Sequence, residues 1–212
     1  MLEIEYKGGN CVVLSTKKSA LYVDPKLSVV GLKDIKLSDE IEVATEARFA
    51  VDNEDARIII ECPGEYEVGD FTLRGIAATR HIDTENDDKK STIYRVETND
   101  FRIAILGNIT PELDDTQLEE IGMVDILILP VGGNGYTLDA TAAASLARLI
   151  EPKLVIPVHY ADTKLRYEVA QDDLSVFQQA LGVPVADAVS KLKLKSTAAL
   201  PPSLTLQVIE RS

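Results

Sequence analysis

The chain has 212 residues, a formal net charge of −13, 45% hydrophobic residues and 27% charged residues, which is the make-up of a folded globular protein and not of a disordered one. Acid in excess over base repels phosphate backbones and anionic lipid, so nucleic acid and membrane surfaces are excluded as default partners. Two cysteines, Cys11 and Cys62, form no CxxC pair and no disulfide scaffold, and two histidines, His81 and His159, restrict any centre built on nitrogen ligands.

The opening Met1-Leu2-Glu3-Ile4-Glu5 is acidic and alternating, unlike a signal peptide. No apolar run approaches the roughly 20 residues that span a bilayer. The expectation is a single cytoplasmic domain over residues 1–212. Short β-type runs fill the first half: Leu2–Tyr6, Cys11–Ser15, Ala20–Asp24, Ile41–Ala44, Arg57–Glu61, Phe71–Ala77, Thr92–Glu97 and Arg102–Leu106. Turn residues punctuate them, and Asn99-Asp100 between two alternating runs predicts a hairpin.

Helices come late. Thr110-Pro111-Glu112 reads as an N-cap, a proline at the first helical position and an acid in the first turn, with the helix closing at Gly122. Asp139 is expected to cap a helix over Ala140–Ile150, with Ala142, Leu146, Leu149 and Ile150 on one apolar face. Asp172 or Asp173 caps a third, closing at Gly182. Asp125–Pro130 and Leu154–Val158 are near-continuous apolar runs, as central strands covered on both faces require. Two strands, Leu192–Lys195 and Leu204–Ile209, end the chain. Lys191, Lys193 and Lys195 alternate with leucines, the pattern of an edge strand whose lysines face water and block edge-to-edge pairing.

Four places carry site arguments. His159 ends an apolar strand, where side chains reach a cleft at the sheet edge. His81 precedes an acidic stretch, Asp83, Glu85, Asp87 and Asp88, which lacks the glycine and distal glutamate of a calcium loop and reads as solvated. Leu106-Gly107-Asn108 is a polar turn at a strand end. The glycine-rich Pro130-Val131-Gly132-Gly133-Asn134-Gly135 has neither the Lys-Ser/Thr of a P-loop nor the dinucleotide fingerprint, so it reads as a turn before it reads as a phosphate cradle. No serine lies in a nucleophile-elbow context.

In order along the chain stand Leu2–Tyr6 with Gly8 and Cys11, then Val23-Asp24-Pro25, Pro63-Gly64-Glu65-Tyr66-Glu67, the His81 turn and Leu106-Gly107-Asn108. Leu118-Glu119-Glu120-Ile121-Gly122, Ile128-Leu129-Pro130-Val131-Gly132-Gly133 and Glu151-Pro152-Lys153-Leu154-Val155-Ile156-Pro157-Val158-His159-Tyr160 follow. This series resembles the metallo-β-lactamase superfamily, and within it the UlaG/YtkL-like branch of Zn-dependent hydrolases. The resemblance implies an α/β fold, a four-layer αββα sandwich of two mixed β-sheets with the site at the sheet edge. It also implies a dinuclear metal centre built on a His-x-His-x-Asp-His loop, two further histidines and a bridging aspartate.

Set on that pattern, the loop after Ile41–Ala44 reads Thr45-Glu46-Ala47-Arg48-Phe49-Ala50-Val51. Glu46 and Arg48 replace the two spaced histidines, Ala50 the aspartate and Val51 the last histidine. Asn108 stands for the bridging aspartate, and Asn10 follows Gly9 where the family carries a histidine. Only His81 and His159 remain. A catalytic zinc needs about three protein ligands and an open position, and a guanidinium has no lone pair to offer.

The expectation is therefore a non-catalytic protein of this fold that binds an unidentified small ligand or protein, with no cofactor and a vestigial cleft of Asp24, Glu46, Arg48, His81, Asn108 and His159. Arg48 is expected to pair with Glu46 or Asp24 there. The alternative is a metal-dependent hydrolase in which His81, His159 and a carboxylate such as Asp24 or Glu46 hold one zinc or manganese ion. Assembly as a homo-oligomer is a further reading.

Overall fold

A computed structural model describes residues 1–81 and 89–212. The first sheet contains β1 (Leu2–Gly8), β2 (Cys11–Ser15), β3 (Ala20–Val23), β4 (Ile41–Val43), β5 (Ile58–Ile60) and β12 (Leu192–Leu194), in the order β12-β1-β2-β3-β4-β5. The second contains β6 (Gly64–Val68), β7 (Phe71–Thr79), β8 (Lys90–Thr98), β9 (Phe101–Ile105), β10 (Ile126–Pro130), β11 (Leu154–Val158) and β13 (Thr205–Leu206), in the order β13-β11-β10-β9-β8-β7-β6. Both are mixed. β3, β4 and β5 run parallel, as do β9, β10, β11 and β13, while the hairpins are antiparallel.

The inner faces meet in one core that takes alternate residues of each strand, including Ile4, Val12, Leu21, Phe71, Tyr94, Ile103, Ile126 and Ile156. Tyr94 donates its buried hydroxyl to the carbonyls of Ala44 (3.1 Å) and Ile60 (3.3 Å), tying the sheets together. The alternate residues of the second sheet, such as Ile93, Leu127, Leu129 and Val155, pack beneath the helices. β10 and β11 are thus buried on both faces, as their unbroken apolar runs predict.

The three α-helices, α1 (Asp115–Ile121), α2 (Ala140–Ile150) and α3 (Leu174–Leu181), contribute buried residues to that outer layer. The outer face of the first sheet is covered more thinly: Leu27 and Val30 of a 3₁₀ turn and Leu165 pack over Cys11.

Several local expectations change. α1 begins five residues after the Thr110-Pro111 signal, because Asp114 and Gln117 form a reciprocal capping box that satisfies two orphan backbone donors. α2 has the expected bounds and the Asp139 cap, but its buried face is Ala140, Ala143, Ala144, Leu146 and Ala147, and Leu149 points to solvent. Small alanines let the helix lie close on β10. Asp173, not Asp172, caps α3. β6 is a strand that alternation does not reveal, because it lies on the sheet edge with both faces partly open. The Asn99-Asp100 hairpin forms with both residues at positive φ (48° and 66°), as a primed turn requires. β12 is an edge strand, and Lys191 and Lys193 reach the Glu3 and Glu5 carboxylates of β1.

Candidate functional site

Strand ends from both sheets converge at one rim. Asp24 follows β3, Thr45 and Glu46 follow β4, Asn108 follows β9 and His159 follows β11. The rim is sewn shut by the backbone N–H of Thr92, which donates to the Thr45 carbonyl at 2.8 Å. Gly107 has φ 63°, and a Cβ there would come within 2.8 Å of the Thr45 side chain, so only glycine lets these turns meet. A Cβ on Gly132 would strike the His159 carbonyl and the Gln171 amide oxygen, so the glycine-rich loop is first a packing device. Its Gly133 N–H is already given to Thr137 Oγ1 (2.7 Å) and the Leu138 carbonyl (3.1 Å), which weakens a phosphate cradle.

A continuous polar chain fills the rim. His159 Nδ1 lies 2.8 Å from Asn10 Oδ1, Asn10 Nδ2 donates to Asn108 Oδ1 at 3.1 Å, and Asn108 Nδ2 donates to Glu46 Oε1 at 3.2 Å. Glu46 fixes the direction of the whole chain. An ionised carboxylate only accepts, so Asn108 must turn its amide NH₂ toward it and its oxygen toward Asn10. Asn10 then presents its own oxygen to the imidazole, which makes His159 the Nδ1–H tautomer with its lone pair on Nε2.

Two arginines close the other end. Arg80 Nε is 2.8 Å and Arg48 Nε 3.2 Å from Glu46 Oε2. Arg48 also reaches Glu168 Oε2 at 3.5 Å. Its guanidinium stacks over the rings of Phe49 (4.7 Å) and Tyr136 (5.0 Å). The His159 ring lies between Tyr136 and Tyr167, 5.2 Å from each centroid, and its backbone at φ 51° is held by an N–H donated to the Gly9 carbonyl at 2.9 Å. Burial, aided by the Arg48 charge, pushes the His159 pKa down to about 3, so the ring is neutral. Asp24 accepts from the Thr45 N–H and hydroxyl, both at 2.7 Å. Burial nonetheless raises its carboxyl to about 7.

The structure therefore gathers Asp24, Glu46, Arg48, Asn108 and His159 at one rim. Arg48 pairs with Glu46 and Glu168, not with Asp24. His81 joins through its backbone N–H, donated to the Asn108 carbonyl at 2.9 Å. The acidic stretch from Asp83 to Asp88 lies outside the described residues. Asn10, marked in sequence by its place after Gly9, belongs to the site, and so do Arg80, Tyr136 and Tyr167, which the motifs do not reach. The sequence signals for them were weak: Asn10 follows a glycine in the opening turn, and Arg80 precedes His81. Among the described residues, no three His, Cys, Asp or Glu side chains stand together as a metal ion requires. Beside the rim opens a cavity of about 660 Å³, lined by residues 45–48, 61–63, 77–78, 80 and 90–92.

With this geometry in place, comparison with known proteins identifies the lineage. The beta-lactamase superfamily domain matches residues 3–159. The chain belongs to that family. It is 41% identical over 71 residues to a UPF0173 metal-dependent hydrolase of Carboxydothermus hydrogenoformans, a stretch of 32% of this chain and 29% of that protein. A UPF0173 metal-dependent hydrolase of Lysinibacillus sphaericus is 25% identical over 195 residues, 75% of this chain and 85% of that one. Matches to individual relatives can thus span under a third of their length. In fold, a metallo-beta-lactamase superfamily protein of Thermotoga maritima superposes with TM-score 0.76 at 21% identity, covering 99% of this chain and 100% of that one. Igni18, a metallo hydrolase from Ignicoccus hospitalis, follows with TM-score 0.63 at 16% identity, covering 99% and 95%. No helix among the described residues is long and apolar enough to cross a membrane.

Proposed function

We propose that this metallo-β-lactamase-fold protein works without a dinuclear metal centre and without hydrolytic chemistry, as a protein that binds a small ligand in the cleft beside the rim. The observation that carries this reading is the polar chain from His159 through Asn10 and Asn108 to Glu46 and its two arginines. A hydrolase of this family needs anionic and imidazole lone pairs converging on one point. Here the Glu46 oxygens face two guanidiniums and an amide, the Asp24 oxygens face Thr45, and neutral Asn108 holds the position that the resemblance gives to a bridging carboxylate. A fixed cation, Arg48, stands where the resemblance puts a ligand, and it repels a second cation. The donor set does not fit the family's metals. A net charge of −13 supports a small ligand over nucleic acid.

The test is metal content. Protein produced with zinc and manganese supplied and purified without chelators is expected to carry far less than one ion per chain. Near-stoichiometric metal that disappears in His159→Ala would overturn the reading. It would favour instead a mononuclear hydrolase on His81 and His159, the activity that the relatives' names carry.

A further inference from the structure

We infer that the cavity beside the rim binds a small organic carboxylate, its anion held by Arg48 and its apolar body lying along Pro63, Ala77 and Ala78. This rests on the ligand-binding reading above and adds the chemical class of the ligand. At about 660 Å³ the cavity falls within the roughly 300–1,000 Å³ common for small-molecule sites.

The argument turns on one edge of one guanidinium. Arg48 Nε and Nη2 are buried and have no hydrogen-bond acceptor among the described residues. Glu46 Oε2 is 3.2 Å from Nε but out of line for a hydrogen bond. The same chain shows what this edge takes elsewhere. Arg102 offers Nε and Nη2 to Asp125 at 2.9 and 3.0 Å, and Arg57 offers them to Asp39 at 3.2 and 2.6 Å. A planar fork matches a carboxylate and is poorly matched by a single neutral acceptor.

Arg48 is also prepared for the task. Phe49 and Tyr136 fix the plane of its guanidinium, which lowers the entropy lost on binding. Its side chain keeps 30% of its surface exposed, and its outward contact is a 3.5 Å approach to Glu168, itself 66% exposed. An entering carboxylate displaces that loose contact while a small turn of the side chain presents the Nε/Nη2 edge. Glu46 and Glu61 share the cavity wall with Arg48, Arg80 and Lys90, and the single charge and planar geometry of a carboxylate match the one unfilled guanidinium edge better than a tetrahedral phosphate does. Pro63, Ala77 and Ala78 offer no polar group beyond the backbone, so the part of the ligand that lies along them is apolar, while Thr45, Ser91 and Thr92 line another part of the wall.

The experiment titrates the full chain with hexanoate, hexanamide and inorganic phosphate, followed by calorimetry. Hexanoate is expected to bind saturably, and hexanamide at least about tenfold more weakly, as is hexanoate to Arg48→Lys, which keeps the charge but loses the fork. Arg57→Lys, at a surface pair, leaves hexanoate binding unchanged. Ala77→Leu narrows the apolar end, weakens hexanoate with Arg48 intact, and keeps the test open if Arg48→Lys does not fold. Equal binding of hexanoate and hexanamide, tighter binding of phosphate, no saturable binding of hexanoate, or indifference to both Arg48→Lys and Ala77→Leu would each overturn the inference. Stoichiometric metal in a chain that still binds hexanoate through Arg48 would overturn the metal-free reading and leave this one. A metal-free chain that does not bind hexanoate would do the reverse.

Discussion

Two buried aspartates at opposite ends of the sandwich are treated in opposite ways. Asp125 opens β10, far from the rim. Its carboxylate accepts the Arg102 backbone N–H at 3.1 Å and both fork nitrogens of the same residue, while its carbonyl accepts from Lys153 and Leu154. Burial alone would raise this carboxyl, but the Arg102 donors outweigh it and hold the group below the usual carboxylate range. Asp24 closes β3 at the rim, in a left-handed conformation (φ 50°), with Thr45 donating to it and no ion pair to it among the described residues. Burial dominates there, and the carboxyl rises to about 7. One end of the fold is electrostatically closed. The other, where strand ends meet a cavity, holds a buried acid with a raised pKa and an arginine with an unfilled fork. Buried groups with perturbed pKa and unfilled donors cluster at functional sites in general, and this contrast is what places the proposed site at the rim.

The comparison sharpens into opposite pH dependences, and the larger effect belongs to Asp24. Its folded pKa of about 7 exceeds the ordinary 3.8, so its contribution is fully present below about pH 4 and is lost as pH rises through about 7. The penalty is on the order of 4 kcal/mol. Asp24→Asn mimics the protonated form and tolerates the positive φ. Chemical denaturation from pH 4 to pH 8 is expected to show a flatter pH dependence in the variant. Equal slopes in the two proteins would break the contrast.

Asp125 runs the other way. Its depressed pKa makes its contribution present above the ordinary carboxylate range and lost as pH falls through the folded value. Asp125→Asn is expected to lower stability by about 2–3 kcal/mol at neutral pH. The gap from the parent protein should close under acid. A gap that persists undiminished at pH 3 would show that the pair is not what holds that end together.

The strands and caps were legible because they follow from neighbours in sequence: Asp139 and Asp173 cap helices, Asn99-Asp100 turns a hairpin, and β10 and β11 are apolar throughout. Thr110-Pro111 misleads because a local signal three to four residues upstream of Asp114 loses to a reciprocal capping box. Leu149 is exposed because alanines, not the large residues, face β10. At the site, the ordered motifs already pointed to Glu46, Arg48, Asn108 and His159. Their connection was not visible. The three links of the polar chain join positions 149, 98 and 62 residues apart, and Tyr136 and Tyr167 reach His159 from separate loops. No local pattern encodes such contacts. The family resemblance placed the residues, and the fold showed that they bond to one another.

The central claim is that the run from His159 through Asn10 and Asn108 to Glu46 is a hydrogen-bonded network and not a metal centre. The most direct measurement is ¹⁵N NMR of the two imidazoles, with His159 assigned by loss of its signal in His159→Gln. The account predicts a neutral, Nδ1-protonated ring from about pH 5 to about pH 8, unmoved by equimolar zinc and unbroadened by manganese. Displacement of its Nε2 resonance by one equivalent of zinc, or selective broadening by manganese, would contradict it.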